Sequence, residues 1–292
     1  MNFLSNPIVL LYRLFTCRSE QVLVFLLRGG LGNQLHQIAA ASYFSRTRKV
    51  QIIFYDHDLK YNARDGGTSR FLNLNLDKWF LYASHPPYVS RGILYFIIRS
   101  AVSLSRRFGF PKVFHEDELR SRTDYPRFML VQDYFMNKKY VEDLDSSQII
   151  DGLSLRRSER NLFPAQAESA IHLRLTDYNL VDSSPLDYKY YERSLKILGI
   201  QTDAKVDIYS DDLVEARSKL QTLALKNAVY PEISQPLSPE EFLIRISSYS
   251  SIIASRSSLC WWGCLLATLK DSRTKVVCPW PKENSLDNWL HA

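Results

Sequence analysis

The 292-residue chain has few of the features that mark disulfide-rich or metal-binding proteins. It contains four cysteines, no CxxC pair, and no histidine grouped with them at metal-ligand spacing. A structural zinc site is therefore not expected. In a chain this long, so few cysteines are typical of the reduced, buried thiols of an intracellular protein.

A long apolar run is also missing. A spanning helix needs roughly 20 consecutive apolar residues. The N-terminal run from Ile8 to Tyr12 ends at Arg13, and Arg99 interrupts the longest later run. The N-terminal run is also too short for the core of a signal peptide. The sequence therefore predicts a cytoplasmic protein. Its basic segment near 91–107 is compatible with peripheral contact at an anionic inner membrane, although a helix packed on the protein is the simpler interpretation.

The charge that is present is mildly positive, with a formal net charge of +6. This surplus favours anionic ligands and is too small to indicate nucleic-acid binding. The chain has no internal repeat or low-complexity tract, and its length suits one large domain or two domains of ordinary size.

Strand-like and helix-like segments alternate along the chain in two series. The polar, irregular stretch 153–169 separates them, which predicts an N-terminal domain at 1–160 and a C-terminal domain at 161–292. Two such series predict an α/β protein with two doubly wound, Rossmann-like domains facing a cleft. TKVVCPW is predicted as the final strand, and Ser238-Pro239 is predicted to open a helix with a capping box. In such sheets ligands bind beyond the carboxyl ends of the strands, so the residues at strand exits matter most.

The first exit is rich in glycine and amides. Gly29, Gly30 and Gly32 precede Asn33 and Gln34, directly after the apolar strand VLVFLL and before an apolar helix. Glycines allow a backbone to approach a ligand closely. They are equally typical of a tight turn, and as a dinucleotide-binding fingerprint the pattern is incomplete.

The second series opens with IHLRLTDY. On a strand, His172 and Arg174 share one face while Leu175 points to the other, and Asp177 follows near the exit. The rigid fork of an arginine suits two phosphate oxygens. A buried structural pair between an arginine and an aspartate explains the same residues.

Two further exits carry polar groups. Asp211 and Asp212 can accept hydrogen bonds from a ligand, or cap the helix that follows. Ser257 and Ser258 begin a helix whose free N–H groups favour phosphate, and a serine N-cap accounts for them as well. The adjacent Trp261 and Trp262 cannot fully share one helix face. Both in the core is the default expectation, and one in the core with the other flanking the cleft is the alternative.

Taken in order, these stretches resemble the motifs of the α-1,2-fucosyltransferases, glycosyltransferase family 11. The similarity extends from about residue 24 to 289. The stretches that carry it are RGGLGNQLHQIAAA, VQDYF, HLRLTDY, IYSDD, SRSSLCWWGCLLA and VVCPWPKENSLDNWL.

The resemblance implies a GT-B fold. It also implies inverting transfer of L-fucose from GDP-L-fucose to the 2-hydroxyl of a galactoside, with no metal or other cofactor. The implied partners are the GDP-sugar and an oligosaccharide acceptor, without nucleic acid. The C-terminal domain is implied as the donor side and the N-terminal domain as the acceptor side. The oligomeric state is left open.

The resemblance also implies roles for individual residues. Arg174, with His172 and Asp177, forms the implied catalytic set. The implied donor-binding residues are Gly29, Gly30, Gly32, Asn33, Gln34, Asp211, Asp212, Ser257 and Ser258.

Some points depart from the family or stay open. The second motif arginine of the family is Leu175 here, and its usual glycine is Thr176. The alternatives are therefore a GT-B transferase for another nucleotide sugar and a catalytically idle nucleotide-binding homologue. The general base is open among Asp177, Asp182 and His36.

Overall fold

The computed structural model describes residues 21–48, 50–55, 74, 76–79, 88–89, 93–109, 112–121, 126–153, 167–176, 186–231 and 237–292. The chain divides into two compact units, Met1–Ser154 and Leu155–Ala292, here called unit 1 and unit 2. The predicted boundary at 160/161, the run from Ile8 to Tyr12, Asp177 and Asp182 all lie outside the described residues.

Unit 1 contains a five-stranded sheet in the order β3-β2-β1-β5-β4, and every pair in it is parallel. The strands are β1 Val22–Leu26, β2 Gln51–Tyr55, β3 Tyr88–Val89, β4 Val113–Phe114 and β5 Phe128–Val131. The helices are α1 Leu31–Arg48, α2 Leu76–Trp79, α3 Ile93–Phe108, α4 Glu116–Ser121 and α5 Ser146–Gly152.

The central strand β1 is buried along its whole length, which is why its sequence is continuously apolar. β2 and β3 follow on one side of it, and the chain then crosses to build β5 and β4 on the other. The strand order therefore reverses between β1 and β5, and a sheet of this kind has a crevice at that point.

Unit 2 contains a six-stranded parallel sheet in the order β11-β10-β9-β6-β7-β8. The strands are β6 Ser169–Leu173, β7 Lys205–Ser210, β8 Asn227–Val229, β9 Ser251–Ile253, β10 Lys275–Cys278 and β11 Leu290–His291. The helices are α6 Tyr188–Leu198, α7 Leu213–Leu220, α8 Pro239–Ile246 and α9 Ser258–Lys270.

The strand order of unit 2 reverses between β6 and β9, in the same way as between β1 and β5. The predicted capping box is confirmed at the start of α8, where Ser238 and Glu241 each bond the other's backbone N–H. The prediction that TKVVCPW forms the last strand is wrong. β11 follows it and pairs with β10, and a two-residue strand is defined by that pairing rather than by any sequence period.

Tryptophans concentrate in unit 2. Trp261 and Trp262 on α9 are both fully buried, as expected from the sequence, and they contact each other edge to face. Trp289 packs on Trp261 and Trp280, and its indole N–H donates to Thr268 Oγ1 over 3.0 Å. The only other tryptophan of the chain is Trp79, which is buried in unit 1.

The described cysteines agree with the sequence interpretation. Cys260, Cys264 and Cys278 are free and buried. None of the helices in the described ranges has the length and apolar character required to cross a bilayer.

Candidate functional site

Arg174 leaves the central strand of unit 2 at its carboxyl end. The strand alternates as the sequence predicts: Ile171, Leu173 and Leu175 enter one hydrophobic core cluster. Arg174 therefore points away from that cluster. Its side chain keeps 34% of its surface exposed. Leu175 is a core residue, so the absence of an arginine at this position leaves Arg174 in place.

Asp211, at the exit of the neighbouring strand β7, holds the loop that carries Arg174. Its Oδ1 accepts a hydrogen bond from the Leu175 backbone N–H over 2.8 Å. Its Oδ2 accepts from the Thr176 backbone N–H over 3.2 Å and from the Thr176 hydroxyl. The same oxygen lies 3.3 Å from Arg174 Nε. Both carboxylate oxygens are thus engaged by the loop.

These contacts fix the charge of Asp211. Burial raises the pKa of its carboxyl group, but the hydrogen bonds from Thr176 and Leu175 and the charge of Arg174 together lower the pKa below its ordinary value. Asp211 is therefore ionised at neutral pH and orients Arg174 from its Nε side.

Asp212 has a different position from its neighbour. Its side chain caps α7 by accepting a hydrogen bond from the Glu215 N–H over 2.9 Å, and its own N–H donates to Ser210 Oγ over 3.1 Å. The structure thus gives the two adjacent aspartates separate structural positions, and donor binding by either one stays a prediction.

His172 lies on the same side of the strand as Arg174 but deeper in the protein. Its Nδ1 is 2.7 Å from Ser255 Oγ, and its ring packs on Phe242 with centroids 4.9 Å apart. Because His172 is buried, its ring supports the floor of the strand exit.

The start of α9 completes this end of unit 2. Ser255 follows β9, the neighbour of β6, so the serine run begins where the strand order reverses. Ser257 is the N-cap of α9, and its side chain accepts from the Cys260 N–H over 3.4 Å. Ser258 is the first helical residue and is partly exposed. A helix start of this kind presents backbone N–H groups and positive dipole charge to an anion.

A buried network of hydrogen-bonded polar side chains lies beneath this site and was not predicted from the sequence. Tyr249 donates its hydroxyl to Asp207 Oδ2 over 2.6 Å and lies 2.6 Å from the Tyr209 hydroxyl. Arg245 Nε donates to the Tyr209 hydroxyl over 2.8 Å. Tyr209 of β7 is paired with His172 of β6, so this network lies on the same face of the sheet as His172. Burial raises the pKa of both tyrosines, which keeps them protonated.

The glycine corner of unit 1 combines a sharp turn with two amide clamps. Gly29 has φ +78°, a left-handed conformation that favours glycine, and a Cβ there would press on Asn33. Gln34 Nε2 donates to the Gly29 carbonyl over 2.9 Å. Its Oε1 is buried and accepts no hydrogen bond within the described ranges. Gly30 and Gly32 belong to the same turn and the first turn of α1.

Arg28, at this corner, is held by Gln37 and Tyr134. Its N–H donates to Gln37 Oε1 over 3.1 Å, and Gln37 Nε2 donates back to the Arg28 carbonyl over 2.9 Å. Its Nη2 donates to the Tyr134 hydroxyl over 3.0 Å, and its guanidinium lies 4.7 Å from the centre of that ring. Tyr134 follows β5, so this pair sits where the strand order of unit 1 reverses. The sequence drew attention to the glycines, whereas Tyr134 lies in the stretch VQDYF of the resemblance and was not singled out as a site residue.

His36 does not suit the role of a general base. It is buried in α1, and burial lowers the pKa of its imidazole to about 3. It is thus neutral and enclosed. No group of three or more His, Cys, Asp or Glu side chains in the part of the chain that the structure describes is arranged to hold a metal ion.

No known protein family and no curated protein sequence matches this chain. Its structure is similar to that of the fucosyltransferase NodZ from Bradyrhizobium, with a TM-score of 0.50 at 12% identity over 85% of this chain and 94% of that one. The chain has a GT-B fold. At this identity the likeness establishes the fold alone, and it confirms the fold predicted from the sequence.

Two weaker likenesses are to other transferases. A mutant of Arabidopsis thaliana FUT1 in complex with GDP gives a TM-score of 0.49 at 10% identity, over 94% of this chain and 76% of that one. The E. coli heptosyltransferase WaaC gives 0.38 at 11% identity, over 93% of both chains.

Proposed function

We propose that this GT-B chain transfers L-fucose from GDP-L-fucose to the 2-hydroxyl of a galactoside, with inversion and without a metal ion. The observation that carries the proposal is the position of Arg174 at the carboxyl end of β6, because the strand order of unit 2 reverses between β6 and β9, the strand that leads into α9. Ligands of doubly wound sheets bind at such a point. The family motifs fall on these same residues.

The departing GDP gains negative charge as the bond to the fucose anomeric carbon breaks. Arg174 offers a fixed positive charge to the pyrophosphate, and Asp211 fixes its orientation before the donor binds. A hydrogen-bond donor whose orientation is fixed in advance stabilises the transition state more than the ground state. The N–H groups at the start of α9, next to Ser257 and Ser258, also stabilise the negative charge of the pyrophosphate.

The glycine corner of unit 1 has the character of a sugar-binding edge. Asn33 is partly exposed, so its side-chain amide can meet a ligand, whereas Gln34 is buried and supports the turn. Arg28 adds a second fixed cation at the exit of β1. The resemblance assigns Asn33 to the donor; we infer instead that Asn33 and Arg28 contact the acceptor glycan, because the acceptor role is expected of this half of the chain.

The acceptor hydroxyl still has to lose a proton. His36 is excluded as its base by burial, so Asp177 and Asp182 are the remaining choices from the sequence. An oxocarbenium-like transition state reduces the need for a strong base, because bond breaking precedes attack.

The choice of donor is in keeping with NodZ, whose structures have been solved after soaking with GDP-fucose and in co-crystals with GDP. Leu175 favours a second candidate, a transferase for a different nucleotide sugar. Its burial leaves one arginine of the motif at the strand exit, so the donor phosphates meet a smaller charge.

The experiment is a transfer assay with radiolabelled GDP-fucose and a panel of galactose-terminated sugars, followed by linkage analysis of the product. Fucose on the 2-hydroxyl of galactose supports the proposal, whereas transfer only from another nucleotide sugar supports the second candidate. GDP binding by calorimetry with no transfer from any donor would instead mark an idle homologue.

A further inference from the structure

Helix α3 of unit 1 has two apolar faces, of which the fold uses one. Its inner face packs Leu94, Tyr95, Ile98 and Val102 into the core cluster around β1. Its outer face nevertheless carries large exposed apolar side chains, with Phe96 62% and Phe108 68% exposed. Four of the ten large hydrophobic side chains that are exposed in the described ranges belong to this one helix: Phe96, Ile97, Leu104 and Phe108.

Three of these side chains form a row along the helix, and the fourth lies to one side of it. At 3.6 residues per turn, Ile97, Leu104 and Phe108 lie within about 40° of one another around the helix axis, and Phe96 lies about 100° from Ile97. Arg107 lies between Phe96 and this row, and its guanidinium is 5.3 Å from the centre of the Phe108 ring. We call Phe96, Ile97, Leu104 and Phe108 the outer row.

The charge along α3 and its neighbours in sequence has one sign. No Asp or Glu occurs between Asp77 and Glu116, a stretch that contains six basic residues. They are Lys78, Arg91, Arg99, Arg106, Arg107 and Lys112. Arg99, Arg106 and Arg107 are exposed on α3 itself. Lys112 pairs with Glu118, so the positive charge beside the outer row comes from the arginines of α3. Apolar side chains flanked by such arginines are complementary to an anionic lipid layer.

A second copy of this chain is a poorer occupant of the same face. Pairing two outer rows through a twofold axis would place the arginines of one helix close to those of the other. The net charge of +6 on each chain opposes that contact further.

We propose that α3 docks unit 1 on an anionic bilayer, with the outer row inserted among the acyl chains and Arg99 and Arg107 at the headgroups. This binding needs no catalysis and is independent of the proposed function. It gives the basic segment noted in the sequence a specific geometry, because the inserted side chains are exposed whereas Leu94, Ile98 and Val102 of the same helix pack into the core.

The test is co-sedimentation of the full chain with lipid vesicles. Vesicles of phosphatidylcholine are compared with vesicles of phosphatidylcholine mixed with phosphatidylglycerol. We expect binding to the anionic vesicles only. Raising the salt from about 0.1 M to about 1 M should weaken it, since the Debye length falls from about 10 Å to about 3 Å.

Two double variants separate the apolar and ionic contributions. Phe96→Ser with Phe108→Ser should lower partitioning by about tenfold or more per residue, because each loses a buried aromatic side chain in the bilayer. Arg99→Gln with Arg107→Gln should lower it by about fivefold per residue. Both pairs are exposed, so thermal unfolding should stay unchanged.

The matched control is Val214→Ser, which removes an exposed apolar side chain from unit 2. It should leave vesicle binding unaltered. Equal binding by wild type and the phenylalanine variant would overturn the proposal, as would absence of binding to anionic vesicles. Light scattering tests whether a second copy of the chain binds the outer row instead. If the wild type is a dimer, the phenylalanine variant is a monomer and vesicle binding is the same for both, the outer row is a dimer interface and the proposal is overturned.

Discussion

The two units place an arginine at the same topological position and hold it differently. Arg28 follows β1 and Arg174 follows β6, each at the central strand beside the point where strand order reverses. Arg174 lies against a carboxylate, Asp211, whereas Arg28 is held by a tyrosine and by an amide clamp on its backbone. In the described part of unit 1, Arg28 has no carboxylate partner.

This difference indicates a division of labour between the units. A carboxylate fixes the orientation of a guanidinium by a charge-assisted contact, which preorganises Arg174 for a pyrophosphate although it offsets part of the charge. Tyr134 holds the Arg28 guanidinium by a neutral hydrogen bond, and we expect its other N–H groups to bind the hydroxyls of a glycan. Four predictions test the comparison.

The largest effect is expected for Arg174→Ala. Loss of one preorganised hydrogen-bond donor at the charge that develops on the leaving group raises the activation free energy by about 3 kcal/mol. The value of kcat/KM for GDP-fucose should therefore fall at least about 100-fold. The assay is the transfer reaction, with circular dichroism to show an intact fold. Arg273→Ala is the matched control, because it removes an exposed Arg–Asp pair before β10, at the amino end of the strands. Near-normal turnover in Arg174→Ala would end the proposed role.

A smaller loss is expected for Arg28→Ala. A hydrogen bond to a charged group contributes about 1.5–3 kcal/mol, so we expect roughly a tenfold or greater rise in KM for the acceptor, with the KM for the donor unchanged. Tyr134→Phe keeps the ring and removes one hydroxyl, and should have a milder effect. If Arg28→Ala instead weakens donor binding, the division of labour between the units is wrong.

Asp211→Asn should affect both orientation and stability. The asparagine keeps one acceptor oxygen and loses the ion pair, so the free energy of unfolding should fall by about 1–2 kcal/mol. Because the folded pKa of Asp211 lies below the ordinary value of about 3.9, its ionised form stabilises the protein above that value. That contribution is lost as the pH falls through the lower, folded pKa.

The measurement is chemical denaturation of both proteins between neutral and acid pH. The stability difference between wild type and Asp211→Asn should be constant near pH 5–7 and shrink below about pH 4. A stability difference that stays constant down to the lowest pH measured would show that the charge of the Asp211 carboxylate contributes nothing to stability.

No effect is expected from a chelator. The sequence gives no metal-ligand spacing, and charge stabilisation is assigned to Arg174 and the start of α9. Activity should be equal before and after incubation with EDTA. Loss that magnesium restores would require a new role for Asp211 and Asp212.

The sequence predicted those features that depend on local patterns. The buried strand β1, the helix that follows it and the capping box of Ser238 and Glu241 all follow from periodicity and capping rules, and all are confirmed. The alternation along IHLRL correctly placed Leu175 in the core.

Features that depend on contacts between residues far apart in sequence could not be predicted from the sequence. Nothing local distinguishes Asp211, which binds a loop 35 residues earlier, from Asp212, which caps the next helix. Asp207 and Arg245 look like ordinary polar positions of a strand and an amphipathic helix. They become a buried network only when α8 packs over the sheet.

The uneven placement of indoles has a practical consequence for studying this molecule. Four of the five emit from unit 2, and Trp79 alone reports on unit 1. Intrinsic fluorescence during denaturation will therefore follow chiefly the second half of the chain, while far-ultraviolet dichroism follows both. Two curves that separate would reveal units that melt one after the other, and replacing Trp79 by phenylalanine would make the emission signal specific to a single unit.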